Sequence, residues 1–282
     1  MKSKQAIPIK ITTLVDNKSS ATDSFLHEHG LAMLIETGTE SILFDTGFSN
    51  VIVKNADIAG IDLARIKKVV LSHGHLDHAG GLNHIIKSNT HFTLIAHPGI
   101  YKPKVIIDKN RIRYFDISKD LPTLKNSGVQ FELGEDVIAV SDNMMTTGYI
   151  PMTTDFEKIE NRFCIQEDDI YTQDTFEDEK ALVLKTALGV VVLLGCTHRG
   201  IINTLQHVTR LTGEDHIYAI MGGLHLGHVN SDKMAKICRD LQQFHLSKLI
   251  VGHCTGSLAT EVLINAFGDK VEVNRVGKFI VF

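Results

Sequence analysis

The chain has 282 residues, 43% of them apolar and 22% charged, and a formal net charge of −4. That composition excludes a disordered or fibrous chain, and the length can bury a sizeable core. With 29 basic residues against 33 acidic ones there is no basic field for nucleic acid, and no apolar run reaches the roughly 18 residues of a membrane span.

In chain order, residues 7–15 (IPIKITTLV) read as a strand. Residues 31–36 and 41–45 form a hairpin with Gly in its turn, and about 50–58 is helical in pattern. Residues 67–72 form a short buried strand that stops at a His-Gly-His loop, followed by a helix over 79–88 and a strand over 91–96. The second half gives a strand at 136–141 and a hairpin at 181–195. Helices follow at 200–212, 231–244 and 257–267, with strands at 216–221, 247–252 and 277–282. Strands and helices alternate in both halves with no linker between them, which predicts one mixed α/β domain over residues 1–282.

The N-terminus has lysines but no apolar core followed by a small-residue cleavage site, so no signal peptide is expected. Cys164, Cys196, Cys238 and Cys254 form no CxxC pair, which favours a reducing, cytoplasmic compartment over a disulfide framework. Residues 155–180 carry ten Asp/Glu and three Lys/Arg and read as an inserted acidic loop or lid, or as a solvated hairpin. Residues 101–113 carry five basic residues and one Asp, and read as a solvated strand face in preference to an anion-facing patch.

The most specific signal is Ser72-His73-Gly74-His75-Leu76-Asp77-His78, followed by Ala79-Gly80-Gly81. Imidazoles and a carboxylate are the ligand set of Zn²⁺ or a similar divalent ion. In this loop His73 and His75 can point to one side and Asp77 and His78 to another, so that one loop feeds two adjacent metals. One loop cannot complete two coordination spheres, so later His residues at strand ends are required. His198, His225 and His253 each follow an apolar run by a few residues and stand near Gly. His84, His207 and His245 fall in or just after helical patterns, His91 and His216 open strands, and His97 ends one; these are the weaker candidates.

The HxHxDH loop, the preceding FDTG turn and the two strand–helix halves resemble the metallo-β-lactamase-fold superfamily. The resemblance implies a four-layer αββα sandwich with a metal site along one edge of the facing sheets. It also implies that His73 and His75 bind one metal, that Asp77 and His78 bind the other, and that Asp45 is a buried support for the metal loop. Where many relatives carry a bridging Asp after the later strand, this chain has Cys196 and His198. The motifs GLAMLIET, LSHGHLDHAGGL, GCTHRGI, GGLHL and GHCTG are similar to one branch, the archaeal dihydropterin–ribofuranosylaminobenzene phosphate synthases and their bacterial relatives. Within it His198 is the best-supported later ligand, and His225 and His253 compete for the remaining place.

Cys196 is expected beside the metals as a supporting residue, with ligation by Cys196 or Cys254 as the alternative. His29 and Arg199 are candidates for contacting substrate. Two functional expectations follow. The first is a metal-dependent hydrolase of a small ester, lactone or phosphoester, with two divalent ions (zinc by default, Mn²⁺ or Fe²⁺ also compatible) and Asp77 as the catalytic partner of the attacking water. The second, implied by the branch, is a transferase joining a dihydropterin diphosphate to an aminobenzene ribofuranoside phosphate. Both take a small-molecule substrate and neither takes nucleic acid or membrane. A binding protein without catalysis is opposed by the intact HxHxDH loop.

Overall fold

The computed structural model describes residues 8–20, 24–109 and 111–282. Ile7, where the first predicted strand begins, and the first seven residues of the leader reading lie outside the described residues. One seven-stranded sheet runs, in spatial order, Phe279–Val281, Lys10–Val15, Ala32–Glu36, Ser41–Phe44, Lys68–Val70, Thr93–Ala96 and Gln130–Leu133. The other runs Val271–Val273, Lys248–Val251, Ile217–Gly222, Gly189–Leu194, Leu182–Thr186, Met144–Thr146 and Ala139–Ser141. In each sheet one half is antiparallel and the other parallel, the parallel part beginning at Ser41–Phe44 and at Gly189–Leu194.

The strands carry nearly continuous apolar runs because both faces are buried. Phe44, Val70 and Ile95 of the first sheet pack against Leu193, Met221 and Ile250 of the second in one shared cluster. On the outer face of the first sheet, Leu43, Val69 and Leu94 meet Ile52, Leu82 and Leu121 from helices. On the outer face of the second, Val192, Ile220 and Leu249 meet Leu205, Ile237 and Leu263 from the helices Ile201–Thr212, Ser231–Leu241 and Ser257–Phe267. The layers are therefore helix, sheet, sheet, helix, the expected αββα sandwich. Helix ends follow local chemistry: Asn230 caps Ser231–Leu241 by accepting from Lys233 N, and Gly213 at φ 72° ends Ile201–Thr212. No helix among the described residues is long and apolar enough to cross a membrane.

One expected element is corrected. The helix expected over 79–88 starts earlier and is broken into Leu76–Ala79 and Leu82–Ile85, so Asp77 and His78 lie in a helical turn. The glycines between the two pieces have ordinary helical φ, and their role is close approach. A Cβ on Gly80 would stand 2.3 Å from Phe48 O, and one on Gly81 would stand 2.0 Å from Thr46 O.

The acidic segment 155–180, expected as an inserted loop or lid or as a solvated hairpin, does hold a hairpin, and buried carboxylates on either side tie it into the fold. The hairpin, Phe163–Glu167 and Ile170–Gln173, joins Lys104–Asp108 and Arg111–Tyr114 in a four-stranded sheet. Glu157, Asp174, Asp178 and Glu179 of this segment are buried, as is Lys104 of the basic one. Lys104 Nζ meets Asp174 Oδ2 at 2.6 Å and Asp178 Oδ1 at 2.9 Å. Burial works against the Asp178 charge, but Lys104 outweighs it and holds the carboxyl below its usual value. Glu157 accepts from Ile202 N and Asn203 N and so closes the N-terminus of Ile201–Thr212.

Replacing Lys104 by Met leaves two buried carboxylates without their cation. The Lys104→Met variant is expected to lose about 3–5 kcal/mol of stability, read as a lower urea midpoint at an unchanged slope. A loss below about 1 kcal/mol would show that the ion pair is dispensable.

Candidate metal centre

The candidate side chains converge at the carboxyl ends of the parallel strands, between the two sheets. Four non-glycine residues at these strand ends have positive φ: Asp45 (57°), Thr197 (65°), His225 (47°) and His253 (48°). Such conformations cost of order 1–3 kcal/mol each and cluster where function requires them. Each re-aims the chain just after a strand stops.

The donors form two adjoining groups. His73, His75 and His198 make one, with His73 Nε2 and His75 Nδ1 3.1 Å apart. Asp77, His78, Cys196 and His253 make the other. In it His78 Nε2 lies 3.1 Å from both Cys196 Sγ and His253 Nε2, and Asp77 Oδ2 lies 3.4 Å from His253 Nε2. Cys196, expected as a supporting residue, thus stands among the donors themselves. A third grouping, Cys196, His225 and Cys254, shares that thiol with the second. His225 Nε2 is bonded to Glu160 Oε1 at 2.8 Å, which sets it apart from His253.

Three buried atoms of these groups have no hydrogen-bond partner: Asp77 Oδ1, His198 Nε2 and His225 Nδ1. Orphaned buried polar atoms are costly, and here they belong to atom types that can ligate a metal and sit within the donor groups. Protonation is also arranged for ligation. Burial pushes His73 and His198 well below the ordinary imidazole value and His75 to about 3, so all three are neutral with a lone pair available. Burial works against charge on His78 as well, but the Asp77 and Asp45 carboxylates lift it to about 9. Asp77, though buried, is held well below the usual carboxylate range by His78 and by hydrogen bonds from His253 and His29. The donor set and its orphaned atoms fit divalent ions.

Supporting contacts fix each loop. Asp45 accepts from Ser72 N and Ser72 Oγ, both at 2.7 Å, and meets His78 Nδ1 at 2.7 Å, leaving His78 Nε2 to face the donors. Gly195 permits this contact, because a Cβ there would stand 2.1 Å from Ser72 Oγ. Asn17 Oδ1 lies 3.0 Å from His253 Nδ1. Asp178 Oδ2 accepts from Gly74 N, and Glu179 accepts from His198 N and Arg199 N, both at 2.6 Å. Burial pushes the Glu179 carboxyl up to about 7, against the pull of those two N–H groups.

His29 reaches the cleft, its Nε2 3.2 Å from Asp77 Oδ2. Arg199 does not, which corrects its expected substrate role. It is buried, and its guanidinium donates to the carbonyls of Ile150 and Thr175 and to the Tyr149 hydroxyl. His97 is in none of the three groups and accepts from Gly99 N. Asn17, Glu160, Asp178 and Glu179 escaped sequence reasoning. The signal available for the last two was their place directly before the apolar strand ALVLKT. All four cysteines are unpaired.

A family model described as the metallo-beta-lactamase superfamily matches residues 27–141. The 7,8-dihydropterin-6-methyl-4-(beta-D-ribofuranosyl)-aminobenzene-5'-phosphate synthase of Methanocaldococcus jannaschii is 30% identical, over 97% of both chains. A second protein of that organism, described as uncharacterized, is 28% identical over 96% of this chain and 99% of its own. The solved structure of Tm1679, described as a metal-dependent hydrolase of the beta-lactamase superfamily, superposes with a TM-score of 0.81 at 28% identity, covering 96% of this chain and 98% of that one. The chain belongs to the metallo-beta-lactamase superfamily. The likeness to the archaeal synthase runs over 97% of both proteins, which is the branch resemblance expected from the motifs.

Removing the carboxylate behind His78 should loosen metal without unmaking the donors. Asp45→Ala is expected to weaken zinc affinity about 10- to 100-fold in a chelator-competition titration. An unchanged affinity would show that Asp45 has no part in aiming His78.

Proposed function

We propose that the protein is a two-metal enzyme of small molecules, and that its reaction is hydrolysis. The observation that carries this reading is the pair of adjoining donor groups whose orphaned atoms are of types that can ligate a metal. In it His73, His75 and His198 hold one ion, and Asp77, His78, Cys196 and His253 hold the other. The nitrogen, sulfur and oxygen donors suit Zn²⁺, with Mn²⁺ or Fe²⁺ as substitutes. Two such ions, when bound, would supply a nucleophilic water at neutral pH and a pull on a substrate oxygen. Asp77, kept as the carboxylate beside His29 and His253, would accept a hydrogen bond from a reacting water and orient it. The neutral imidazoles of the first group keep that side free of competing protons.

The second reading is the transferase, favoured by the full-length likeness to the archaeal synthase. There the same residues would hold ions that assist loss of pyrophosphate from a pterin diphosphate, and the amino nitrogen of the aminobenzene would take the place of water and give up a proton. The two readings differ in their products, a hydrolysed fragment against a condensed one with released pyrophosphate.

Plasma mass spectrometry on protein purified without chelator or affinity-tag metal tests the shared part. About two equivalents of metal per chain are expected, with one lost in His198→Ala and the other in His253→Ala. At most one equivalent after metal is added back would overturn the two-metal reading. On a panel of esters, lactones and phosphodiesters, Asp77→Ala is expected to lower kcat about 100-fold or more. Turnover unaffected by Asp77→Ala would overturn its catalytic role, and condensation without hydrolysis would decide for the transferase.

A further inference from the structure

The four-stranded sheet beside the donor groups carries side chains for which the metal chemistry has no use. Phe115 packs 5.6 Å from His75, and Phe163 packs 5.6 Å from His75 and 4.9 Å from His198, centroid to centroid. Next to each phenyl lies a guanidinium, Arg113 at 5.4 Å from the Phe115 centroid and Arg162 at 4.8 Å from that of Phe163. All four side chains line one cleft of about 570 Å³ together with the donors His75, Asp77, Cys196 and His198. Two short series, imidazole to phenyl to guanidinium, therefore lead from the donor groups along its wall.

The charge there is uneven. Arg162 Nε meets Glu160 Oε2 at 2.8 Å, and the same carboxylate is bonded to His225. Arg113 is exposed and makes no ion pair among the described residues. Of the two guanidiniums only Arg162 thus meets a carboxylate, one that a histidine also uses. A guanidinium presents a planar fork of donors matched to phosphate oxygens, and packing on a ring holds that fork in place. Between the forks and the donors the wall is apolar, with Ile106 beside the two phenyls.

We propose that this sheet is a specificity clamp: Arg113 and Arg162 grip a terminal phosphate of the substrate, while Phe115 and Phe163 take its apolar ring. The reacting bond then lies at the donor groups, away from that phosphate. The inference rests on the proposed metal site and adds the substrate class, a ring-bearing phosphomonoester whose phosphate is a handle and not the reacting group. It also gives the hairpin of the acidic segment a role, since that hairpin supplies Phe163.

The test is calorimetric titration of the zinc-loaded full chain with phenylphosphonate, whose C–P bond resists hydrolysis, and with orthophosphate. Zinc content is measured on each sample. Phenylphosphonate is expected to bind more tightly than orthophosphate. Arg113→Ala is expected to weaken phenylphosphonate about tenfold or more, and Arg113→Glu further, with zinc content unchanged. Arg113 is exposed, so neither variant threatens the fold. An unchanged phenylphosphonate affinity in both variants, or equal affinity for the two ligands in the wild type, would overturn the clamp. If the wild type holds no zinc, the metal reading fails by itself. The same titration on that protein still decides the clamp, because the guanidiniums belong to the sheet and not to the donor groups.

Discussion

The centre depends on one run of three buried residues, Asp178-Glu179-Lys180, which holds both halves of the molecule to each other. Asp178 accepts the N–H of Gly74, between His73 and His75. Glu179 accepts the N–H groups of His198 and Arg199 at the far side of the same donor group. Lys180 N donates to Ser72 O, and its ammonium donates to the carbonyls of Gly134 and Asp136. Neither ligand loop has regular structure to satisfy its own backbone, and buried N–H groups without partners are costly. Adjacent carboxylates at 178 and 179 supply those partners from one segment, so the distance between the two loops is fixed by a single peptide. The cost is visible in Glu179, whose burial pushes its carboxyl up to about 7.

That cost is met by the surrounding packing. Lys104 compensates Asp178, and Phe176, fully buried, stacks on His198 with centroids 3.9 Å apart. The sandwich supplies rigidity of another kind. Parallel strands from both sheets end at one edge, and four residues there adopt left-handed conformations immediately after their strands. A strand end held on both sides by neighbours can bear such strain, whereas a free loop would relax. The donors are therefore aimed by the sheets and spaced by the acidic segment.

What was legible in the sequence follows from this division. The two sheets and three late helices are written in apolar runs and helical periods, since their driving force is burial, which leaves a pattern. The HxHxDH loop is legible because four donors in six residues have no structural use as a surface. The acidic segment was read only in part, as a hairpin, because its composition gives no sign of which carboxylates are buried. Charge counts cannot distinguish exposed carboxylates from ones that cap Ile202 and Asn203 or hold Gly74, when each bond is made to a residue tens of positions away. Lys104 was hidden for the same reason, and its partners lie about seventy residues further on. Arg199 was misplaced because adjacency to His198 in sequence is not adjacency in direction. His198 stands among the donors, while the Arg199 guanidinium turns to the carbonyls of Ile150 and Thr175.

The two donor groups differ in charge as well as in position, and the difference has chemical consequences. His73, His75 and His198 are kept neutral by burial and bring no negative charge to an ion they hold. Asp77 brings a full charge to the other group, and the Cys196 thiol brings a second when it ligates. On the proposed reading, an ion held by the three imidazoles would retain more of its charge and supply the stronger pull on a substrate oxygen, while the carboxylate and thiol side would be the better place to orient a nucleophile. His29, hydrogen-bonded to Asp77 and backed by Asn17, extends that side toward the open cleft. Phe115 and Phe163 border the imidazole side. A substrate lying along the apolar wall would therefore stand nearer the imidazole side than the carboxylate side.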